Sequence, residues 1–240
     1  AGLQLDISHA EQGYFMARYT GTAKDLFLQL VCPDQSEYKY FLQSSQDYVT
    51  IPFSEGDGNY LVFAYEKIVD DQYSPIFSDS ITVELSDPFG PFLCSNQYVN
   101  FDADSEVCSL ADTLTKDCEN NLDKVREIYQ WVVRNIDYDH EKALMVSTGY
   151  LPDIEETLQT RKGICFDFAA LMTAMLRSQG IPGRLNIGYL TEDIYHAWIS
   201  VYLDETGWLN QVIAFDGQDW KLMDPTVASS SGMQAAEELS

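Results

Sequence analysis

The spacing of apolar residues changes part-way along the chain, and this change limits the possible folds more than any other feature. Up to residue 88 the apolar side chains come in short runs, with alternation visible in several. "LQLDI" (3–7), "GYFMARY" (13–19), "DLFLQLV" (25–31), "YKYFL" (38–42), "DYVTIPF" (47–53), "NYLVFAY" (59–65) and "SITVEL" (80–85) are rich in aromatic and branched residues. Such residues suit a pleated, half-buried surface. Leu26, Leu28 and Leu30 share one face, as do Ile81, Val83 and Leu85, because side chains alternate along a strand. Turn formers such as Gly56-Asp57-Gly58-Asn59 separate the runs. Residues 1–88 are therefore expected to form an all-β sandwich, immunoglobulin-like in architecture, although the Cys…Trp…Cys pattern of antibody domains is absent.

"SDPFGPF" (86–92) places two prolines and a glycine in seven residues. It predicts a boundary, with residues 89–99 as a linker. Beyond it the apolar period lengthens. "NLDKVREIYQWVVRNIDY" (121–138) sets Leu122, Val125, Ile128, Val132 and Ile136 at intervals of three and four, the pattern of an amphipathic helix. "RKGICFDFAALMTAMLRSQGIPGR" (161–184) carries a second helix from about Phe166, with Gly180 as its C′ residue and Pro182 blocking its continuation. Strands follow at "RLNIGYL" (184–190), "HAWISVYL" (196–203), "WLNQVIAF" (208–215) and "DWKLMDP" (219–225). Residues 100–228 thus read as an α+β domain with an antiparallel sheet, and residues 229–240 as a flexible tail.

The net charge is −24, from 38 acidic and 14 basic residues. That field repels phosphate backbones and anionic lipid, so neither nucleic acid nor direct membrane insertion is expected. No apolar run approaches the roughly 20 residues that span a bilayer. "DADSE" (102–106) begins like a calcium loop but lacks the glycine at its sixth position and the glutamate at its twelfth. It reads as a solvated acidic stretch. No Cys/His cluster has zinc spacing, and neither a metal nor a cofactor is expected.

Of the five cysteines, Cys32, Cys94, Cys108, Cys118 and Cys165, an odd number leaves at least one unpaired in a monomer. Cys165 stands where a helix begins. Unpaired N–H groups and the helix dipole there are expected to lower a thiol's pKa and to help bind an oxyanion. A thiolate nucleophile needs a base, and His196 opens a strand downstream. On that strand His196, Trp198, Ser200 and Tyr202 share one face, which suits a cleft wall, while Ala197, Ile199, Val201 and Leu203 suit a core. A carboxylate would orient the histidine. Asp224 is placed for this, but Asp193, Asp204 and Asp219 are not separated from it by spacing.

"RKGICFDFAALMTAMLRSQGIPGR", "YHAWISVYL" and "WKLMDPT" together resemble the transglutaminase-like superfamily, over about residues 98–228. The resemblance implies a papain-like fold with a Cys-His-Asp triad in that chain order. Cys165 would be the nucleophile, His196 the general base and acid, and Asp224 the orienting group. It implies acyl transfer from peptide or protein amides, with hydrolysis slightly favoured over transamidation, and a catalytically silent scaffold as the alternative. An oxyanion helper is expected upstream, with Tyr150 and Trp131 as candidates, and Trp198, Tyr202 and Tyr150 as candidate substrate contacts. The chain opens on Ala1 instead of Met. With a resemblance to secreted bacterial members that carry a β domain, this gives the expectation of an exported or cell-surface protein, its β domain serving as a spacer or a contact for a cell-surface partner.

Overall fold

A computed structural model describes residues 2–22, 25–45, 47–69, 72–147, 149–191, 194–215 and 220–222. Contacts divide the chain into two compact units, Ala1–Gln97 and Tyr98–Ser240.

The first unit is strand-rich. Its strands are β1 (Leu3–Asp6), β2 (Tyr14–Tyr19), β3 (Asp25–Val31), β4 (Glu37–Gln43), β5 (Val49–Pro52), β6 (Gly58–Val69) and β7 (Gln72–Val83). They form a sheet of order β1-β2-β5 and a second of order β4-β3-β6-β7, antiparallel throughout. The alternation in the sequence sets which side chains are covered. Phe15, Ala17 and Tyr19 of β2, Leu26, Leu28 and Leu30 of β3, and Tyr60, Val62 and Ala64 of β6 are all fully buried. Phe53, just after β5, packs its ring 5.3 Å from that of Phe15 and 4.7 Å from that of Tyr60. Tyr19 keeps its hydroxyl satisfied by donating to Glu66 at 2.6 Å, as a buried phenol must. The "SDPFGPF" stretch belongs to this unit. It makes a short 3-10 turn, Gly90–Phe92, with Pro91 and Phe92 buried. Pro91 lies so close to Gly13 that a Cβ there would meet its Cδ at 2.5 Å.

The second unit runs α1 (Glu106–Thr115), α2 (Asn121–Asn135), β8 (Asp137–Tyr138), α3 (His140–Met145), α4 (Ile154–Thr160), β9 (Lys162–Gly163), α5 (Cys165–Ser178), β10 (Gly183–Thr191), β11 (Ile194–Leu203), β12 (Gly207–Phe215) and β13 (Trp220–Leu222). Four of the five described α-helices start by one rule. Ser105, Asn120, Asp139 and Asp153 each accept the N–H of the residue three positions on, at 3.2, 2.9, 2.9 and 2.9 Å. Each such cap is worth about 1 kcal/mol. "DADSE" thus contributes the cap of α1 and, through Glu106, an acid in its first turn.

Strands β10 to β13 form an antiparallel sheet in sequence order. Helix α5 is the centre of the unit. Every residue from Asp167 to Arg177 is buried, which is what a helix apolar on all sides requires. One side packs on β10 and β11, and the rest is covered by α1, α2 and α4. Ala197, Ile199, Val201 and Leu203 join this core, as the alternation in "HAWISVYL" indicates. The helix stops at Gly180, whose φ is +71°. Ile181 N–H reaches back to Leu176 O at 3.0 Å and Gly180 N–H to Arg177 O at 3.0 Å, closing the last turn.

The structure differs from the sequence reading in three places. β6 and β7 form a hairpin of twelve residues per strand, where residues 66–79 carry no strand pattern. Most of the hairpin's far end is exposed or half-exposed on both faces, so no alternation marks it. Pro75 is tolerated because β7 is an edge strand. Helix α2 ends at Asn135, and Asp137–Tyr138 leaves it to pair with Lys162–Gly163. Helices α1, α3 and α4 are ten residues or fewer, too short for periodicity to identify.

Candidate active site

The site is built where α5 begins. Parallel pairing sets Asp137 beside Lys162 and Tyr138 beside Gly163, and Asp139 N–H donates to Gly163 O at 2.9 Å. This pairing brings the segment after α2 alongside Lys162 and Gly163, the two residues before the N-cap of the helix. Ile164 is the N-cap and Cys165 the first helical residue. The first bond inside the helix is Phe168 N–H to Ile164 O, 3.1 Å, so the preceding N–H groups have no acceptor within the helix.

Cys165 is half-buried and forms no disulfide. Its surroundings pull in two directions. Burial pushes the thiol up, and the Asp167 carboxylate adds to this. Backbone N–H groups of Ala197 and Phe166, and its own, act on the sulfur and lower it. Among the described residues burial wins and the thiol stands above its ordinary value. The expectation that a helix N-terminus leaves this thiol lowered is corrected accordingly. The dipole effect is present, but removing a thiolate from water costs more.

The N–H of Ala197 links the sulfur to β11, next to His196. His196 is described at its backbone, where it pairs with Gly188 of β10. Asp224 lies outside the described residues, as do Asp193, Asp219 and residues 229–240. Asp204 sits exposed in the turn after β11.

Trp198 is half-buried and pairs with Asn186. Its ring lies over Gly188, where an added Cβ would meet it at 3.2 Å. Ser200, on the same face, is buried and accepts a hydrogen bond from Asn186 at 3.0 Å. Tyr202 stands six residues from His196, about 20 Å along a strand. Its N–H donates to Pro182 O at 3.0 Å, beyond the end of α5 opposite Cys165. Its ring packs against Trp208. The expected cleft contact of Tyr202 is therefore at the wrong end of the helix for the thiol. Trp131 carries the Arg161 guanidinium over its ring at 4.7 Å.

The side chains that do gather beside Cys165 were not all anticipated. Asp167, two residues on, is completely buried. It accepts from Ile164 N–H at 2.8 Å, from the Lys142 ammonium at 2.9 Å, and from the Tyr150 hydroxyl. Burial works against the Lys142 charge, but hydrogen bonds to Tyr150 and Asp167 outweigh it and hold the ammonium up at about 12. Burial, and then the bond to Asp167, push the Tyr150 phenol up to about 12. Tyr138 is also raised, first by burial and then by the nearby Cys165 and Asp167. The Asp167 signal was available: it is an acid inside an otherwise apolar helical stretch, and such a group must find partners. Tyr138 was hidden because it reads as the last turn of α2. Among the described residues no group of three or more His, Cys, Asp or Glu side chains is placed to hold a metal.

Residues 109–211 match the family model described as the Transglutaminase-like superfamily. The chain is 34% identical over 93 residues to a UPF0252 protein of Methanocaldococcus jannaschii, covering 34% of this chain and 26% of that one. It is 29% identical over 121 residues to the uncharacterised protein YebA of Bacillus subtilis, 43% of this chain and 16% of YebA. It is 31% identical over 112 residues to the kyphoscoliosis peptidase of Mus musculus, 42% of this chain and 17% of the peptidase. The aligned part spans about a quarter or less of each of these relatives. A Cytophaga hutchinsonii protein solved as a cysteine-protease candidate superposes with a TM-score of 0.45 and 19% identity, over 85% of this chain and 78% of that one. The match to the family model covers Cys165, the helix it opens and the β11 strand, so it is over this stretch that the chain is similar to the transglutaminase-like superfamily.

Proposed function

We propose that this domain is a thiol-dependent acyl-transfer enzyme acting on peptide or protein amide bonds, with Cys165, His196 and Asp224 as its triad. The observation that carries the reading is the position of Cys165: first residue of a buried helix, with the N–H groups of Phe166 and of Ala197, the neighbour of His196, acting on its sulfur. His196 takes the thiol proton, and the sulfur bonds to the amide carbonyl carbon. The oxyanion of the tetrahedral intermediate is met by N–H groups at the start of α5. The C–N bond breaks, and His196 returns the proton to the departing amine. Water then attacks the thioester, giving an acid and restoring the thiol. A lysine amine in place of water would give an isopeptide bond. Hydrolysis is slightly favoured because water is abundant. Asp224 orients the imidazole, and Trp198 and Tyr150 border the substrate. The first unit is an immunoglobulin-like sandwich serving as a spacer or contact module, and the protein works outside the cell or at its surface.

The raised thiol favours a second reading, a catalytically silent scaffold. Incubation with a peptide library and a labelled primary amine separates the two. Cleavage without amine incorporation, lost by about a thousandfold or more in Cys165→Ala, is expected of the hydrolase. Amine incorporation would indicate transamidation. No Cys165-dependent product of either kind would leave the scaffold.

A further inference from the structure

Asp167 occupies a costly place for a charge. A fully buried carboxylate must have its lone pairs and its charge met by partners. Its bond to Ile164 N–H closes the start of α5 on itself, as the acid at the third position of a capping box does. That bond fixes the backbone from Ile164 to Asp167, and so fixes where the Cys165 sulfur points. The same carboxylate lies two residues from the sulfur, where its negative charge opposes a thiolate. The other two partners come from outside the helix: Lys142 on α3, and Tyr150 in the segment before α4. Lys142 is mostly buried and also lies 5.0 Å above the Tyr150 ring. Helix α3 itself is anchored by its Asp139 cap, directly after the β8–β9 pairing.

We propose that Lys142 and Tyr150 are positioning residues for Cys165: through Asp167 they hold the first turn of α5 in place, and the Lys142 ammonium cancels the carboxylate charge that would otherwise oppose the thiolate. This rests on Cys165 being the nucleophile. Among the described residues, the groups facing the thiol are Asp167 and the Phe166 N–H of α5, Tyr138 of β8 and the Ala197 N–H of β11. Of these only Asp167 is a carboxyl group, and its effect is to raise the thiol, so its partner decides the local field. The ammonium held at about 12 keeps that partner charged across the working range.

The test is the rate of iodoacetamide alkylation at Cys165 against pH, read by peptide mass spectrometry in the full chain, with melting curves to show that each variant is folded. In Lys142→Met the midpoint is expected to move up, so that at pH 7 Cys165 reacts about three- to tenfold more slowly. In Asp167→Asn it is expected to move down, and in Lys142→Arg to stay near wild type. Opposite shifts from the two partners are what a charge-balancing pair gives; a packing defect would not do so. Should Asp167→Asn not fold, Lys142→Met and its arginine counterpart decide alone. A folded Lys142→Met protein with the wild-type midpoint, or a lower one, overturns the proposal while leaving Cys165 as nucleophile. A wild-type Cys165 no more reactive than the half-buried Cys94 and Cys118 overturns the nucleophile reading, and this proposal with it.

Discussion

At the scale of single residues, the thiol of Cys165 is a balance between burial and donated hydrogen bonds, and its neighbours leave little slack. Gly163 shows this most sharply. A Cβ there would stand 2.7 Å from Asp167 Cβ and 3.3 Å from Thr157 Cγ2, and both of those residues are buried. Gly163→Ala is therefore expected to displace Asp167. A loss of about 1–3 kcal/mol in urea unfolding is predicted, together with slower alkylation of Cys165. An alanine variant as stable and as reactive as wild type would show that Asp167 can yield without consequence. The sequence exposes Cys165 and the alternation around His196, because both are local patterns. It does not expose the net effect on the thiol, because that depends on how much water the fold removes.

At the scale of elements, α3 and the segment before α4 are tied to α5 by one ionic cluster, and that tie has a pH dependence. Lys142 and Tyr150 both hold their protons more firmly in the fold than in the open chain, at about 12 for each. The unfolded chain therefore loses protons first as pH rises, and stability falls where it does so. The contribution is complete below about pH 10, near the unfolded values, and is lost as pH climbs through about 12. Melting temperatures between pH 9 and 12 should decline, and the decline should be shallower in Tyr150→Phe and Lys142→Met. An identical slope in those variants would remove the cluster as its source. Helix α5 was legible from its apolar run and Gly180 stop. Helix α3 was not, because six residues with Leu144 and Met145 exposed carry no apolar face to read.

At the scale of the whole molecule, the two units each have a core of their own, one from strand faces and the other around α5. A protein of residues 98–240 alone is expected to melt cooperatively and to keep the Cys165 alkylation profile of the full chain. A piece that does not melt cooperatively, or whose Cys165 labels like an unfolded thiol, would show that the first unit is needed for the second. The change of apolar period near residue 88, most strands of the first unit and the resemblance of the second to the transglutaminase-like superfamily could be read from residue order. They follow from side-chain alternation, helix stops and the adjacency of "GIC" and "HAW" to their elements, which are properties of neighbours along the chain. The convergence of Lys142, Tyr150 and Asp167, the placing of Tyr138 beside the thiol, and the removal of Tyr202 to the far end of α5 belong to the folded arrangement alone. Charge and burial act through space, and residues 138, 142, 150 and 167 become neighbours only when β8 pairs with β9 and the start of α5 is packed against them.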